Sequence, residues 1–294
     1  MTTQTGSGFS STSARGRFSI AHTSAGVVQW TVIILGAGIM ALPFVWMVLT
    51  SLKHDSEVLR LPITWLPDQF PYLENYRQVF IRQPFARFFL NSIIVTTLAT
   101  ASSLLFSSLS GYAFAKFRFP GKEVVFFVFI LAVLMVPFEV VVVPLYLIFN
   151  RFGLTDTYLG LAGPNLLSAF GVFIMRQFIE SIPDDYIDAA RVDGQSELGI
   201  FARIVLPLSV PGLATLGTVK FIWTWNEFLW PLVVVRSDEM KTVILGLANY
   251  NGMWWTSYAL VTAAAFLSVI PMILLFLVFQ EFIIKGMTMT GLKG

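Results

Sequence analysis

The chain of 294 residues is 56% hydrophobic and only 12% charged, whereas an ordinary soluble domain is about a quarter charged. Its formal net charge is +2 with the basic residues scattered over loops and ends, so the basic stripe that marks nucleic-acid binding is lacking and that class is excluded. The chain contains no cysteine, which excludes disulfides, thiolate nucleophiles and sulfur-bound metals.

Residues 1–26 are rich in Ser, Thr and Gly, which predicts a flexible N-terminal tail. Six apolar segments follow, each near or above the roughly 20 residues that cross about 30 Å of hydrocarbon. The predicted spans are residues 27–49, 88–114, 124–149, 158–178, 212–235 and 259–283. We therefore expect an all-α polytopic membrane protein with six transmembrane helices, in which residues 27–294 form one transmembrane domain.

An even number of spans places both termini, and the loops after the second and fourth spans, on one face of the membrane. The very short loop after the second span carries Lys116, Arg118 and Lys122. Because cytoplasmic loops are enriched in Lys and Arg, we expect both termini in the cytoplasm.

The segment between the first two spans, residues 50–87, contains Pro62, Pro67, Pro71 and Pro84, with Trp65, Phe70, Tyr72 and Tyr76 among them. Each proline removes a backbone donor and interrupts regular structure. This pattern predicts an external loop with short helices, either a lid at the membrane interface or a landing surface for an extracellular partner.

The third predicted span contains Pro137 and Pro144, which should kink or break its helix and leave carbonyls unpaired. Two readings stay open, a pathway or hinge and a plain packing irregularity. Glu139 and Glu227 lie inside spans, where an ionised side chain is costly unless it faces protein or water. Each lies roughly 22–24 Å from the cytoplasmic end of its helix, at about 1.5 Å per residue.

Polar and aromatic residues cluster around Glu227 in the fifth span. One hypothesis is a translocation pathway in which carboxylate and amide groups bind sugar hydroxyls while indole rings stack on sugar faces; the alternative is structural contact between helices. The candidate pathway residues are Glu139, Trp225, Asn226, Glu227 and Trp230. Lys220, close to the cytoplasmic end of this span, is interpreted as a snorkelling side chain.

A polar island of about thirty residues separates the fourth and fifth spans. Pro183 and the following carboxylates predict a helix start, and Gly194 permits a sharp turn. A second short helix is predicted over residues 196–206, with Leu198, Phe201, Ala202 and Val205 on one side. The alternative, an amphipathic helix at the lipid headgroups, is disfavoured because anionic lipids would repel its acidic residues, Asp184, Asp185, Asp188, Asp193 and Glu197.

The island resembles the "EAA" loop of permease subunits in bacterial ABC importers. Asp188-Ala189-Ala190 is followed after three residues by Gly194, and nine residues later by Ile204, one residue and Leu206-Pro207. Asp188 stands where Glu is usual, which keeps the charge. The resemblance implies that these positions couple the chain to an ATPase, through Asp188, Ala189, Ala190, Arg191, Asp193, Gly194, Ile204, Leu206 and Pro207. Small side chains at Ala189 and Ala190 would let the other surface approach closely.

Residues 225–231 and the ending 280–294 are similar to the carbohydrate-uptake branch of these importers, the maltose and glycerol-3-phosphate type, which implies a location in the inner membrane of a bacterial cell. The resemblance implies a type I importer permease fold and three kinds of partner: a second, related permease that is generally unlike this chain, two ATPase subunits, and an extracytoplasmic solute-binding protein. ATP and Mg would be used by the ATPases and no cofactor by this chain. Independently, the only Gly-Lys pair, Gly121-Lys122, lacks the rest of a phosphate-binding loop.

Two other classes of membrane protein are alternatives to a permease subunit. A membrane-embedded enzyme would need clustered acids, histidines or a metal motif, yet the only histidines are His22 and His54, so no catalytic residue and no metal site is predicted. A stand-alone ion-coupled carrier or channel could use Glu139 and Glu227 for protons. Such carriers often contain two related halves, and no such repeat is present in the sequence.

Overall fold

The computed structural model describes residues 15–250 and 256–291, and within them the side chains of 29–128, 130, 132–250 and 256–281. Three helices are long and apolar enough to cross a membrane, and the number rises to six if each of three bent helix pairs is one span. The predicted all-α polytopic fold is confirmed. The helices of this set are Arg15–Ser51, Phe85–Lys116, Lys122–Met135, Phe138–Arg151, Tyr158–Asn165, Ala169–Glu180, Glu197–Leu208, Val210–Trp225 and Tyr258–Gly291.

The first helix begins at Arg15, well before the predicted start of the span. Residues 15–26, which were predicted to belong to a flexible tail, are therefore helical, and that part of the prediction is wrong. Extending an existing helix costs far less than nucleating a new one, so the apolar span can carry the helix into a polar flank. Residues 1–14 of the predicted tail lie outside the described residues.

The segment between the first two spans folds against the end of the first span. It contains the short helices Asp55–Val58 and Glu74–Arg82. The buried amide of Asn75 donates to the carbonyl oxygens of Ser51 and Lys53 at 2.8 and 2.7 Å. These bonds hold the loop in place, and the choice between a lid and a landing surface stays open.

The third span is broken, as its prolines predicted. Lys122–Met135 and Phe138–Arg151 meet at 96°, and Pro137 caps the second helix in an extended conformation. Pro144 lies inside that second helix without ending it. The break is therefore a property of Pro137 and its neighbours.

The fourth and fifth spans are also interrupted, where continuous helices were predicted. Tyr158–Asn165 and Ala169–Glu180 meet at 50°, and the Ser168 hydroxyl accepts a hydrogen bond from Gly171 N at 3.0 Å to start the second helix. In the fifth span, Val210–Trp225 ends in a turn and a short helix, Leu229–Val234, follows. Hydropathy alone did not reveal these breaks, because a short interruption changes the mean hydropathy of a segment of about 20 residues only slightly.

The second span, Phe85–Lys116, lies at the centre of the packed helices. Its buried side chains belong to all three apolar clusters of the described interior: one next to the island, one near the middle of the span and one at the opposite end. At Gly111 the fourth span approaches so closely that a Cβ would lie 2.8 Å from Met175 Cβ and 2.9 Å from Arg176 N. The second span is thus packed without room to slide against the fourth.

Candidate functional site

The polar island forms the predicted helix, glycine turn and helix. The first helix is Asp184–Val192, with two carboxylates in its first turn. Gly194 adopts a φ of +76°, the left-handed region that favours glycine. The Ser196 hydroxyl then accepts a hydrogen bond from Gly199 N at 3.2 Å and starts the second helix, which runs through Leu208. A bend of 78° separates this helix from the fifth span.

One face of the island packs on the adjoining ends of the spans. Ile187 and Ala190 from the first helix, and Ile200, Phe201 and Val205 from the second, are buried in a cluster with the second and fourth spans. The partly buried Ile204 and Leu206 pack against the same cluster, whereas Pro207 is exposed.

Two details of the predicted island are wrong. Ala190 is buried within this chain, so only Ala189 is accessible to another surface. Leu198 and Ala202, predicted to share the packed side with Phe201 and Val205, are exposed instead. A π-helical turn from Phe201 to Val205 changes the spacing of a regular helix, and Ile200 takes the inward position.

The opposite face of the island combines charge with exposed apolar side chains. Val192 is 87% exposed and Leu198 is 72% exposed, and Asp188, Ala189 and Gly194 are exposed beside them. Large apolar side chains exposed on a charged island are suited to contact with another protein. We refer to this surface, formed by Asp188, Ala189, Val192, Gly194 and Leu198, as the outer face of the island.

Arg191 ties the island together from within. Its guanidinium donates to Glu197 Oε1 at 2.8 Å and to Asp188 Oδ1 at 3.0 Å. The hydrogen bond to Glu197 raises the pKa of Arg191 further above its ordinary value, so the side chain stays charged. Lys116 donates to Asp184 Oδ1 at 2.6 Å, and this bond lowers the pKa of Asp184. Asp193, the remaining charged residue of the motif, is exposed.

The two tryptophans of the candidate pathway are structural in this chain. Trp225 is buried and its Nε1 donates to Ser268 O at 3.0 Å; Trp230 is buried and its Nε1 donates to Gly160 O at 2.9 Å. Neither ring can stack on a sugar while it is enclosed by neighbouring helices. The stacking hypothesis for Trp225 and Trp230 is therefore wrong.

The polar members of the pathway set lie at the breaks in the spans. Asn226 is exposed where the fifth span stops. Glu227 is half-buried and accepts a hydrogen bond from Trp230 N at 3.3 Å, next to the start of Leu229–Val234. Glu139 is exposed in the first turn of Phe138–Arg151, directly after the break in the third span. Their role in transport stays a prediction.

Lys220 does not snorkel. It is 6% exposed, and its ammonium donates to Asn165 Oδ1 at 2.8 Å, at the end of the first helix of the fourth span. A lysine inside an apolar segment predicts that a polar group lies beside its ammonium, but the sequence alone did not identify Asn165 as that partner.

These features define a helical membrane protein with interrupted spans and a polar island of two short helices. The model of the binding-protein-dependent transport system inner membrane component family matches residues 103–289. The chain belongs to this family, and it is a transmembrane permease subunit and not an enzyme.

Known proteins of the same kind cover nearly the whole chain. It is 36% identical over 260 residues to the arabinooligosaccharides transport system permease protein AraQ of Halalkalibacterium halodurans, covering 88% of this chain and 93% of that protein. Its fold is similar to a chain of a bacterial ABC transporter that imports the acidic polysaccharide alginate, with a TM-score of 0.77, 24% identity, and coverage of 89% and 97%. A second match is to a chain of a bacterial alginate ABC transporter in complex with an alginate pentasaccharide-bound periplasmic protein, with a TM-score of 0.55, 14% identity, and coverage of 90% and 93%.

Proposed function

We propose that this chain imports a sugar or sugar-like solute as one permease of an ATP-driven importer, paired with a second, unlike permease. Two separate ATPase subunits, which use ATP and Mg, bind the outer face of the island. An extracytoplasmic binding protein delivers the solute at the other side of the membrane, and both termini of this chain lie in the cytoplasm.

The outer face of the island is the observation that carries this proposal. It joins an exposed alanine, exposed apolar side chains and a left-handed glycine turn, while its opposite face is packed on the spans. A surface of this kind receives a force on one side and passes it to the membrane helices on the other. The basic loop of Lys116, Arg118 and Lys122 lies on the same side, which supports a cytoplasmic location.

The breaks in three of the spans lie at a similar depth, which supports a solute pathway that crosses the membrane at that depth. At about 1.5 Å per residue, the breaks near Pro137, Ser168 and Asn226 each lie roughly 18–24 Å from the cytoplasmic helix end. Interrupted membrane helices are tolerated where they are enclosed by protein or line a water-filled cavity, and their free backbone groups can bind polar cargo. Glu139, Asn226 and Glu227 lie at this level and supply hydrogen-bonding groups suited to sugar hydroxyls.

The cycle follows from these parts. ATP binding draws the two ATPases together and displaces the island, the spans rock from inward-facing to outward-facing, and the cavity opens to the binding protein. Hydrolysis then resets the inward-facing state. The alternative function, a carrier or channel that works alone, does not explain the exposed outer face of the island.

Co-purification tests the proposal directly. The chain is expressed with the products of its neighbouring reading frames and isolated through a tag on this chain alone. The expected result is an assembly with ATPase subunits, in which a photoreactive cross-linker at V192C captures an ATPase and the same cross-linker at an external position, L61C, does not. A chain that transports solute without any ATPase subunit would overturn the proposal. A ligand screen with the isolated binding protein then identifies the sugar.

A further inference from the structure

The cytoplasmic end of the second span contacts both helices of the island. Tyr112 and Lys116 are four residues apart, so their side chains lie on one face of the helix. The Lys116 ammonium donates to Ile182 O at 2.5 Å and to Asp184 Oδ1 at 2.6 Å, at the start of the first island helix. The Tyr112 hydroxyl donates to Glu197 Oε2 at 2.7 Å, at the start of the second.

Both contacts are shielded from water on the side of the span. Tyr112 is buried, and its ring packs against Phe117 and Phe201 with centroid separations of 5.4 and 5.7 Å. The side chain of Lys116 is only 6% exposed. Hydrogen bonds to charged groups are stronger in such surroundings than in water.

Glu197 connects all three elements. One carboxylate oxygen accepts from Tyr112 of the second span, and the other accepts from Arg191 Nε of the first island helix at 2.8 Å. The carboxylate itself belongs to the second island helix. The glycine turn is thereby bridged by side chains, and both of its helices are tied to the same span.

The apolar cluster beneath the island cannot do this alone. Burial of Ile187, Ile200 and Val205 provides adhesion, but the hydrophobic effect is non-directional and permits one surface to shift on the other. Hydrogen bonds depend on distance and angle, so the contacts of Tyr112 and Lys116 set the position of the island on the span.

We propose that Tyr112, Lys116 and Glu197 are positioning residues that clamp the island to the second span, so that island and span move as one rigid body. The inference rests on the proposed function, since a docked ATPase supplies the displacement. Movement of the second span would reach the rest of the chain, because this helix contributes to all three interior clusters. Energetic coupling between sites is carried by such packed, rigid elements.

Distance measurement between two spin labels tests the clamp. The chain has no cysteine, so labels can be placed at L105C on the second span and A202C on the island without removing native thiols. Leu105 and Ala202 are exposed in this chain. The complete importer, with its second permease and ATPases, is reconstituted in lipid and measured by pulsed electron paramagnetic resonance, first without nucleotide and then with Mg-ATP and vanadate.

The expected distance is narrow and the same in both states for the parent protein. In Y112F/E197Q, which keeps the size of both side chains, the distance distribution broadens and shifts when nucleotide is added. The number of ATP molecules hydrolysed per transport cycle rises by about tenfold, the effect of losing one or two charge-assisted hydrogen bonds. E197Q alone gives a smaller change in the same direction and serves if the double variant assembles poorly.

Y158F is the matched control, because the Tyr158 hydroxyl also donates a hydrogen bond to the second span. Its acceptor is Asn91 Oδ1 at 2.9 Å, near the end of the span that is far from the island. It should leave the distance unchanged. A narrow, nucleotide-independent distance in Y112F/E197Q, with the ATPases still bound, would overturn the clamp and leave the proposed function intact. A parent protein that assembles with no ATPase would overturn both.

Discussion

The ammonium of Lys220 lies 2.8 Å from the amide oxygen of Asn165, deep among apolar helices of the fourth and fifth spans. A buried charge that loses its partner is destabilising, whereas replacing both partners with apolar groups can be nearly neutral. The pair therefore joins two interrupted spans through a buried hydrogen bond.

We predict that N165L lowers the stability of the assembled importer by about 2–3 kcal/mol, because it leaves the Lys220 ammonium buried without its acceptor. K220M should cost less, and the double variant K220M/N165L should recover most of the loss. Thermal unfolding of the purified assembly, followed by tryptophan fluorescence, measures this. Additive losses in the double variant would show that the two side chains do not act as a pair.

The glycine turn of the island makes a prediction about backbone conformation. Gly194 has a φ of +76°, and a Cβ there would meet nothing within 4 Å, so substitutions act through strain and not through collision. G194V should reduce uptake per ATP hydrolysed, because a β-branched residue is disfavoured in the left-handed region. G194N should behave like the parent, since Asn tolerates that region. Equal uptake by both variants would contradict the role of the turn.

The close approach of the second and fourth spans can be tested at Gly111. G111A places a methyl group 2.8–2.9 Å from atoms of Met175 and the Arg176 backbone, and such overpacking costs about 1–3 kcal/mol. G217A is the control, because its added methyl group would lie at an ordinary 3.5 Å from Leu104. The expected order of melting temperatures is G217A equal to or above the parent, and G111A below it. An unchanged melting temperature in G111A would mean that the helices separate easily.

Solute recognition should depend on the polar residues at the breaks and not on the buried indoles. E227Q and N226A are expected to raise the KM for solute uptake several-fold, whereas W225F should leave KM unchanged and lower stability, since it removes the hydrogen bond to Ser268 O. Uptake kinetics with the sugar found in the binding-protein screen separate the two effects. A raised KM in W225F with unchanged stability would show that the Trp225 indole contributes to solute binding after all.

The Lys116 contact should persist over the physiological pH range. The hydrogen bond from Lys116 lowers the pKa of Asp184. A carboxylate with a lowered folded-state pKa adds stability above its unfolded value, near about 4, and loses it as the pH falls through the lower folded value. The distance between labels at positions 105 and 202 should thus be equal at pH 5 and pH 7.5. A change between those values would show that another group controls the contact.

Local patterns in the sequence were sufficient for the spans and the island. The length of each apolar segment reports whether it can cross the membrane, and that property needs no knowledge of neighbours. Pro137 identified the break in the third span because proline acts on its own helix. Gly194 identified the turn of the island for a similar reason, since its backbone freedom is local.

The inward or outward direction of a side chain was beyond the same reasoning. Trp225 and Trp230 have an apolar body and one donor, so a sugar-binding surface and a packed helix interface suit them equally. Ala190 and Ala189 are identical in chemistry, yet one is buried and the other exposed. The partner of Glu197 on the second span, Tyr112, is 85 residues away in the chain.

The sequence by itself determined that this is a helical membrane protein with several spans and an island of two short helices, because hydropathy, proline and glycine act over a few neighbouring residues. Only the tertiary structure decided where the fourth and fifth spans break, which tryptophans are enclosed, and which span holds the island. Those outcomes depend on contacts between distant segments, and the strength of such contacts is set by burial and geometry that exist only once the helices have packed.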